Sequence, residues 1–252
     1  DREGLRVANK EEKEVYLPHT PDGYRAWERY VAAAVGRYKG KVAIWMIYNE
    51  PSGEYDKGAH ESYAQLVKVA HQTIKAIDPA AGVSLGGSTS GMGSIKWFDR
   101  VLELLARDSD CPTGCFDLFD YHTYGFADEY GEIFASGPDE PPTAHRDFAA
   151  ILEKNGFGAK PIIIKEGATY SGSDPDAKKN QRTVALQTER DQAAFLVKRA
   201  VYRLAAGVRQ VHWSTLLEQR PGHQKNPDFS SLTGLVYNGV PRSGACRPQD
   251  ES

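Results

Sequence analysis

The chain has 252 residues, of which 40% are hydrophobic and 26% are charged, and its formal net charge is −3. This composition is ordinary for a globular protein, and the lack of a basic stripe argues against nucleic acid as a partner. No apolar run approaches the roughly 18 residues of a membrane span, so no membrane segment is expected. The length suits one large α/β domain or two small ones.

The cysteine count is odd, with Cys111, Cys115 and Cys246. Cys111 and Cys115 fit either a small loop disulfide or two free thiols. A zinc site would need more ligands nearby than the sequence offers. The opening residues Asp1-Arg2-Glu3 are not those of a signal peptide, although a mature or truncated chain would lack one as well.

Hydrophobic periodicity predicts alternating helices and strands from residue 22 onward. Helices are predicted over 22–38, 60–77, 94–107, 145–156 and 189–206, and strands over 42–48, 83–87, 116–121, 161–165 and 208–214. Only short strand candidates, Leu5–Val7 and Val15–Leu17, occur in the polar residues 1–20, and residues 241–252 are irregular. Long loops are expected at 124–145, 167–187 and 217–231, where Tyr124, Phe126, Tyr130 and Phe134 are candidates for outer substrate contacts.

Local signals mark the ends of two helices. Gly40 is expected to cap the first helix, and Thr188 with Asp191 forms an N-terminal capping box for the last. In that last helix the apolar positions predict an inward face made of Leu196, Val197, Ala200, Val201 and Leu204.

The stretch Val42–Pro51 stands out because a nearly uninterrupted apolar run ends abruptly at Asn49, Glu50 and Pro51. Such a run is typical of a parallel strand buried on both faces. A carboxylate at the end of a buried strand costs free energy unless it is compensated or used. A solvated Glu in a strand-ending turn is the alternative interpretation, and this stretch alone does not separate the two.

Repeated strand–loop–helix units predict parallel strands with right-handed crossovers, in either a doubly wound open sheet or a (β/α)8 barrel. A barrel brings all the strand ends to one face, which favours it here because each end carries polar or aromatic residues. The segment Gly86–Gly91 is the only candidate phosphate loop, but it lacks a following Gly-Lys-Ser/Thr and is interpreted as a tight turn.

In a barrel, Glu50 and Glu166 would both project from strand ends toward the mouth. Two carboxyl groups across a cleft suit glycoside hydrolysis, in which one donates a proton and the other acts as nucleophile or base. Asn49, His122, Tyr124 and Trp213 also end strands and could supply hydrogen bonds and an apolar platform to a sugar. Taken singly, His122 reads as a structural histidine and Trp213 as a core residue, so it is their joint placement that favours a site.

Asn49-Glu50-Pro51 after Trp45–Tyr48 resembles the acid/base motif of the retaining (β/α)8 glycoside hydrolases, closest to the xylosidase- and cellulase-like members. There this Glu ends the fourth strand and the preceding Asn holds a substrate hydroxyl. His122-Thr123-Tyr124 resembles the end of the sixth strand, Ile162–Gly167 the seventh strand with the nucleophile Glu, and Trp213 the tryptophan of the eighth. Gly234–Tyr237 resembles the segment that follows.

The resemblance implies a double displacement with Glu50 as acid/base and Glu166 as nucleophile, and with no metal or organic cofactor. It implies an oligosaccharide or polysaccharide partner, and an extracellular location is favoured. It also implies one incomplete barrel domain over 1–252, with only strands four to eight recognisable. Lys165 departs from the usual uncharged residue before the nucleophile, and the Cys111–Cys115 segment has no counterpart.

Two alternatives stay open. The chain could be a carbohydrate-binding barrel without turnover. Glu50→Gln would leave sugar binding unchanged in either case and would abolish turnover only in a glycosidase. It could also be an unrelated α/β protein, such as a phosphosugar enzyme that uses Gly86–Gly91.

Overall fold

The computed structural model describes residues 17–54, 59–89, 91–124, 143–171, 187–217 and 233–236. Several predictions lie outside these ranges. They concern the strand candidate Leu5–Val7, the first two residues of the candidate Val15–Leu17, the side chains of Phe126, Tyr130, Phe134 and Tyr237, Cys246, and the irregular end 241–252.

Helices and strands alternate in the predicted order. In chain order they are α1 (Pro21–Tyr38), β1 (Ile44–Ile47), α2 (Pro51–Glu54), α3 (His60–Ile77), β2 (Gly82–Ser88), α4 (Met92–Arg107), β3 (Leu118–His122), α5 (Thr143–Lys154), β4 (Ile162–Glu166) and α6 (Glu189–Ala205). The short helix α2 was not predicted, and it begins with proline, whose missing N–H costs nothing at a first helical position. Among the described helices, none combines the length and apolar character needed to cross a bilayer.

The strands form one sheet in the order β1-β2-β3-β4. β1 pairs in parallel with β2 from Ile44 opposite Gly82, and β2 pairs in parallel with β3 from Ser84 opposite Leu118. Each strand therefore neighbours the next one along the chain. A doubly wound sheet would reverse its order at a switch point, so the sequential order fits part of a (β/α)8 barrel.

Two compact units make up the chain. The first contains 1–122 and 144–163, and the second contains 123–143 and 164–252. The expectation of a single domain stays a prediction.

The first unit is built around a core of aliphatic and aromatic side chains. α1 buries Val31 and Val35, and α4 buries all five residues predicted to face inward: Ile95, Phe98, Val101, Leu102 and Leu105. The Phe98 and Phe119 rings meet edge to face at 5.3 Å, and Phe148 lies 5.0 Å from Phe119. These contacts fasten helices α4 and α5 to strand β3, which is buried throughout.

Strand β1 differs from its prediction, because only Ile47 is buried while Ile44, Trp45 and Met46 are half-exposed. Among the described residues, β1 lies at the edge of the four-stranded sheet and pairs with β2 only. The apolar run correctly predicted a strand but could not reveal its partial exposure.

The glycine-rich segment also differs from its prediction. Gly86 and Gly87 lie inside strand β2 rather than in a tight turn, and Gly91 is the N-cap residue of α4. Gly86 and Gly87 therefore do not form the turn of a phosphate loop.

In the second unit, the end of β4 pairs with the segment predicted as the last strand. That segment forms a parallel bridge between Ile164 and Val211, with His212 N donating to Ile164 O at 2.8 Å. Helix α6 begins with the predicted capping box of Thr188 and Asp191. Hydrogen bonds from Thr188 lower the pKa of the Asp191 carboxyl, which helps to hold this helix start.

The predicted inward face of α6 is wrong for Val197, Val201 and Leu204, which are all exposed. The helix instead buries Gln192, Phe195, Arg199 and Arg203. The cause is the polar backbone that this face meets. Gln192 Nε2 donates to Thr169 O at 3.0 Å, and Gln187, just before the helix, donates to Tyr170 O at 2.8 Å.

Cys111 and Cys115 form a disulfide, which decides between the two alternatives for these residues. It closes the turn between α4 and β3. Lys68 of α3 also reaches this turn, where its Nζ lies 2.8 Å from an Asp108 carboxylate oxygen.

Candidate active site

Glu50 lies three residues after the end of strand β1, in an unusual backbone conformation. Tyr48 has φ of 73° and Glu50 has φ of 46°, so both lie in the left-handed region that residues other than glycine seldom adopt. Such conformations cost of order 1–3 kcal/mol each and are found mainly at functional sites. The backbone here therefore points to a site at the end of β1.

The buried phenol of Tyr63 holds this bend in place from helix α3. Its hydroxyl donates to Ile47 O at 2.8 Å and accepts from Gly86 N at 3.0 Å. Burial raises the pKa of Tyr63 well above its ordinary value, so the phenol stays neutral and keeps its donor hydrogen. A Cβ on Gly86 would lie 2.2 Å from Ile47 O, which explains the glycine at this position.

His122, at the end of β3, contacts the Glu50 side chain. Its Nδ1 lies 2.8 Å from Glu50 Oε1, and the side chains are 1% and 34% exposed. On the other side of the ring, Nε2 lies 3.9 Å from Oδ2 of the fully buried Asp120. A Cβ on Gly87 would lie 2.1 Å from His122 Nε2, so glycine leaves the space that the imidazole occupies.

Glu166, the last residue of β4, has an aromatic partner of its own in the second unit. The Tyr124 hydroxyl donates a hydrogen bond to Glu166 Oε1. The neighbouring Thr123 N donates to Glu166 O at 3.0 Å, which binds the backbone before Tyr124 to the end of the strand. The Lys165 side chain is exposed. Successive side chains of a strand point to opposite faces, so Lys165 points away from Glu166 and its ammonium does not have to be buried.

Trp213 is fixed by its indole N–H, which donates to Thr233 O at 2.7 Å, and the side chain is half-buried. The next residue, Ser214, donates from its backbone N to Gly167 O at 3.2 Å, so Trp213 sits one residue from this contact with the end of β4. A half-buried ring held at its polar edge can offer an apolar face to a ligand.

The predicted site residues therefore form two groups. In the first unit Glu50 is joined to His122, with Asn49 exposed beside it, and in the second unit Glu166 is joined to Tyr124. Each carboxyl is oriented by a ring, an arrangement suited to proton transfer or nucleophilic attack.

Sequence reasoning missed Tyr63, Asp120 and Gly87 as supports of these groups. Tyr63 fell within an apolar helix face, so its hydroxyl gave no separate signal. The consecutive glycines were visible, but only the packing of His122 shows why Gly87 is needed.

Solved structures of glycoside hydrolases share this fold. A family 39 glycoside hydrolase from the gut symbiont Bacteroides cellulosilyticus WH2 matches with a TM-score of 0.61 and 20% identity, covering 88% of this chain and 43% of that one. A monomeric β-xylosidase from Caulobacter crescentus CB15 matches with a TM-score of 0.58 and 22% identity, covering 88% and 44%. A β-glucuronidase from Bacteroides uniformis matches with a TM-score of 0.51 and 13% identity, covering 88% and 25%.

These likenesses show that the chain has part of a (β/α)8 (TIM) barrel, the fold of these glycoside hydrolases. The chain spans less than half the length of each of these structures. No protein-family model and no curated protein matches it.

Proposed function

We propose that this chain carries the catalytic residues of a retaining glycosidase that acts on β-glycosidic bonds of oligosaccharides or polysaccharides. Glu50 is the acid/base and Glu166 is the nucleophile. Asn49, His122, Tyr124 and Trp213 bind the sugar or frame the site. The reaction uses these side chains and water, with no cofactor.

The hydrogen bond from Tyr124 to Glu166 carries this proposal furthest. A nucleophilic carboxylate has to present one oxygen to the anomeric carbon in a fixed direction, because attack needs close alignment of the reacting atoms. A phenol that donates to Oε1 restricts rotation of the carboxylate. The hydrogen bond from Thr123 N to Glu166 O also holds the backbone next to Tyr124.

The contact between His122 and Glu50 supports the second role. A general acid/base has to lie within reach of the leaving oxygen and then of the attacking water. The buried imidazole fixes the direction of the Glu50 carboxyl, and that carboxyl remains one-third exposed. Water and substrate can therefore reach it.

The proposed reaction has two steps. In the first, Glu166 attacks the anomeric carbon, the bond to the leaving oxygen breaks, and the proton of Glu50 moves to that oxygen. In the second, Glu50 takes a proton from water, the hydroxyl attacks the anomeric carbon, and the Glu166 ester bond breaks. Both side chains return to their starting states and the product keeps its β configuration.

The substrate class is inferred from the neighbours of similar fold. The solved structures that resemble this chain are named as xylosidase, glucosidase and glucuronidase. The first substrates to test are therefore the 4-nitrophenyl β-D-xyloside, β-D-glucoside and β-D-glucuronide. Trp213 supplies the apolar platform that the face of a pyranose ring requires.

Azide rescue of two variants tests the two roles separately. Azide is a small nucleophile that needs no general base. With an activated aryl glycoside, Glu50→Ala should regain turnover in azide and yield the β-glycosyl azide, because Glu166 still forms the ester. Glu166→Gly should yield the α-glycosyl azide, because azide then attacks the substrate directly from the opposite face.

The matched control is Glu189→Ala, which removes a carboxylate from the first turn of α6 and should behave as the wild type. Loss of activity without rescue in both variants, or wild-type activity in either, would contradict the assignments. A wild-type chain that binds these sugars without hydrolysing them, with binding kept in Glu50→Gln, would favour the alternative of a carbohydrate-binding barrel.

A further inference from the structure

We propose that Arg199 is a positioning residue for Glu166, acting through the main chain of Thr123 and the phenol of Tyr124. The inference rests on the proposed function where it names Glu166 as the nucleophile. The contacts that carry it all lie within the second unit, between the end of β4, the segment 123–124 and helix α6.

Arg199 is a charged side chain in a buried place. It lies in the middle of α6, and the residue is only 4% exposed. Burial of a guanidinium is costly unless hydrogen bonds compensate it. An aliphatic residue would fill a helix–strand interface at a lower cost in free energy. The arginine at this position therefore indicates a function for its N–H donors.

The guanidinium donates through Nη2 to the carbonyl oxygen of Thr123. The same peptide segment is held from the other side by Thr123 N, which donates to Glu166 O at 3.0 Å. Thr123 is thus fixed at both its N–H and its C=O. Tyr124 follows directly, and its hydroxyl donates to the Glu166 carboxylate.

Gly167 makes room for this arrangement. A Cβ at that position would lie 2.5 Å from Thr123 O and 3.5 Å from Arg199 Nη2. The glycine after Glu166 therefore lets the Thr123 carbonyl come close to the strand end. Phe195, one turn earlier on α6, supports the guanidinium with its ring centroid 5.1 Å from Arg199 Cζ.

The position of the Tyr124 phenol follows from these contacts. A tyrosine can orient a carboxylate only if its own backbone is fixed, because a shift of the Cα is carried to the hydroxyl. Displacement of a catalytic group by about 1 Å can cost on the order of 10²-fold in rate. Loss of the Arg199 donor is therefore expected to lower kcat rather than to weaken substrate binding.

Arg203 provides a matched control. It lies one turn later on the same buried face of α6, is also an arginine, and is 5% exposed. Arg199→Met and Arg203→Met remove equal charge from equally buried positions. Loss of helix packing should affect both variants, whereas loss of the Thr123 contact should affect only the first.

Amide hydrogen exchange tests the contact without any need for activity. In Arg199→Met the Thr123 amide should exchange at least about tenfold faster than in the wild type. A tenfold faster exchange corresponds to a loss of about 1.4 kcal/mol in the free energy of opening at this amide. In Arg203→Met its exchange should stay as in the wild type. Unchanged exchange at Thr123 in Arg199→Met would overturn the proposal.

Kinetics test the consequence, with whichever of the three 4-nitrophenyl β-glycosides the wild type hydrolyses. Arg199→Ala should lose about 10²-fold in kcat with KM nearly unchanged, and millimolar guanidinium should restore part of that loss. Arg203→Ala should show no such rescue. Faster exchange at Thr123 with an unchanged kcat would overturn the positioning role. A wild type inactive on all three sugars would instead count against the proposed function, while the exchange result still decides the Arg199–Thr123 contact.

Discussion

Gly87 occupies a position in strand β2 where a side chain would collide with the imidazole of His122. Its neighbour Gly86 similarly leaves room for the Ile47 and Tyr48 carbonyls and the Tyr63 hydroxyl. The two glycines thus serve the bend that presents Glu50 and the ring that orients it. Their role lies in close packing rather than in a turn or in binding phosphate.

Replacement of Gly87 by alanine tests this role. The added methyl group would lie 2.1 Å from His122 Nε2, so the ring has to move away from Glu50. We expect Gly87→Ala to lose about 1–3 kcal/mol of unfolding free energy, as overpacked cores do, together with most of any glycosidase activity. Urea denaturation and turnover of the aryl glycosides measure the two effects.

Gly36→Ala is the control for this substitution. Gly36 lies inside helix α1, and a Cβ there would meet nothing within 4 Å. Alanine should raise stability by about 0.5–1 kcal/mol at such a helical position, with activity unchanged. Equal behaviour of the two variants would show that His122 does not need the space at Gly87.

At the scale of elements, periodicity predicted the long helices and four of the five strands well, whereas the segment 208–214, predicted as the fifth strand, forms only a single bridge at Val211. Helix α3 occupies the predicted residues 60–77, because its apolar positions recur at helical spacing and Asp78-Pro79 ends the pattern. The capping box at Thr188 was also predicted correctly, since it depends on local hydrogen bonds alone. Features that depend on local sequence alone could thus be predicted from the sequence.

Features that depend on what an element packs against could not be predicted from the sequence. Helix α6 turns Gln192 and Arg199 inward because they meet polar backbone, which no pattern within the helix reveals. The same reason explains why the partial exposure of β1 and the close contacts of Gly87 were not predicted. The six candidate site residues were chosen because they end strands, but the side chains that contact them were not predicted.

The orientation of α6 leads to a direct prediction. Val201 is 58% exposed, so Val201→Lys should change the unfolding free energy by no more than about 0.5 kcal/mol. Val101→Lys, at a fully buried position of α4, should cost several kcal/mol, because it buries an ammonium in an apolar core. Similar losses in both variants, measured by chemical denaturation, would mean that α6 faces the other way.

At the scale of the whole molecule, the sequential parallel sheet and the solved structures agree on part of a (β/α)8 barrel. The activity of the chain, its substrate and the pairing of its two carboxylates stay proposals. The disulfide between Cys111 and Cys115 fits the favoured extracellular location, since such bonds persist in oxidising compartments. The location too stays a prediction.

Trapping of the covalent intermediate tests the central claim most directly. A 2-deoxy-2-fluoro-β-glycosyl fluoride forms the ester quickly but hydrolyses slowly, because fluorine destabilises the oxocarbenium-like transition states and the good leaving group offsets this only in the first step. Mass spectrometry of the protein treated with the xylosyl, glucosyl and glucuronyl probes should show one added fluorosugar. Peptide mapping should place it on Glu166, and Glu166→Gln should stay unlabelled. No label from any of the three probes, or a label on another residue, would contradict Glu166 as the nucleophile of a retaining glycosidase.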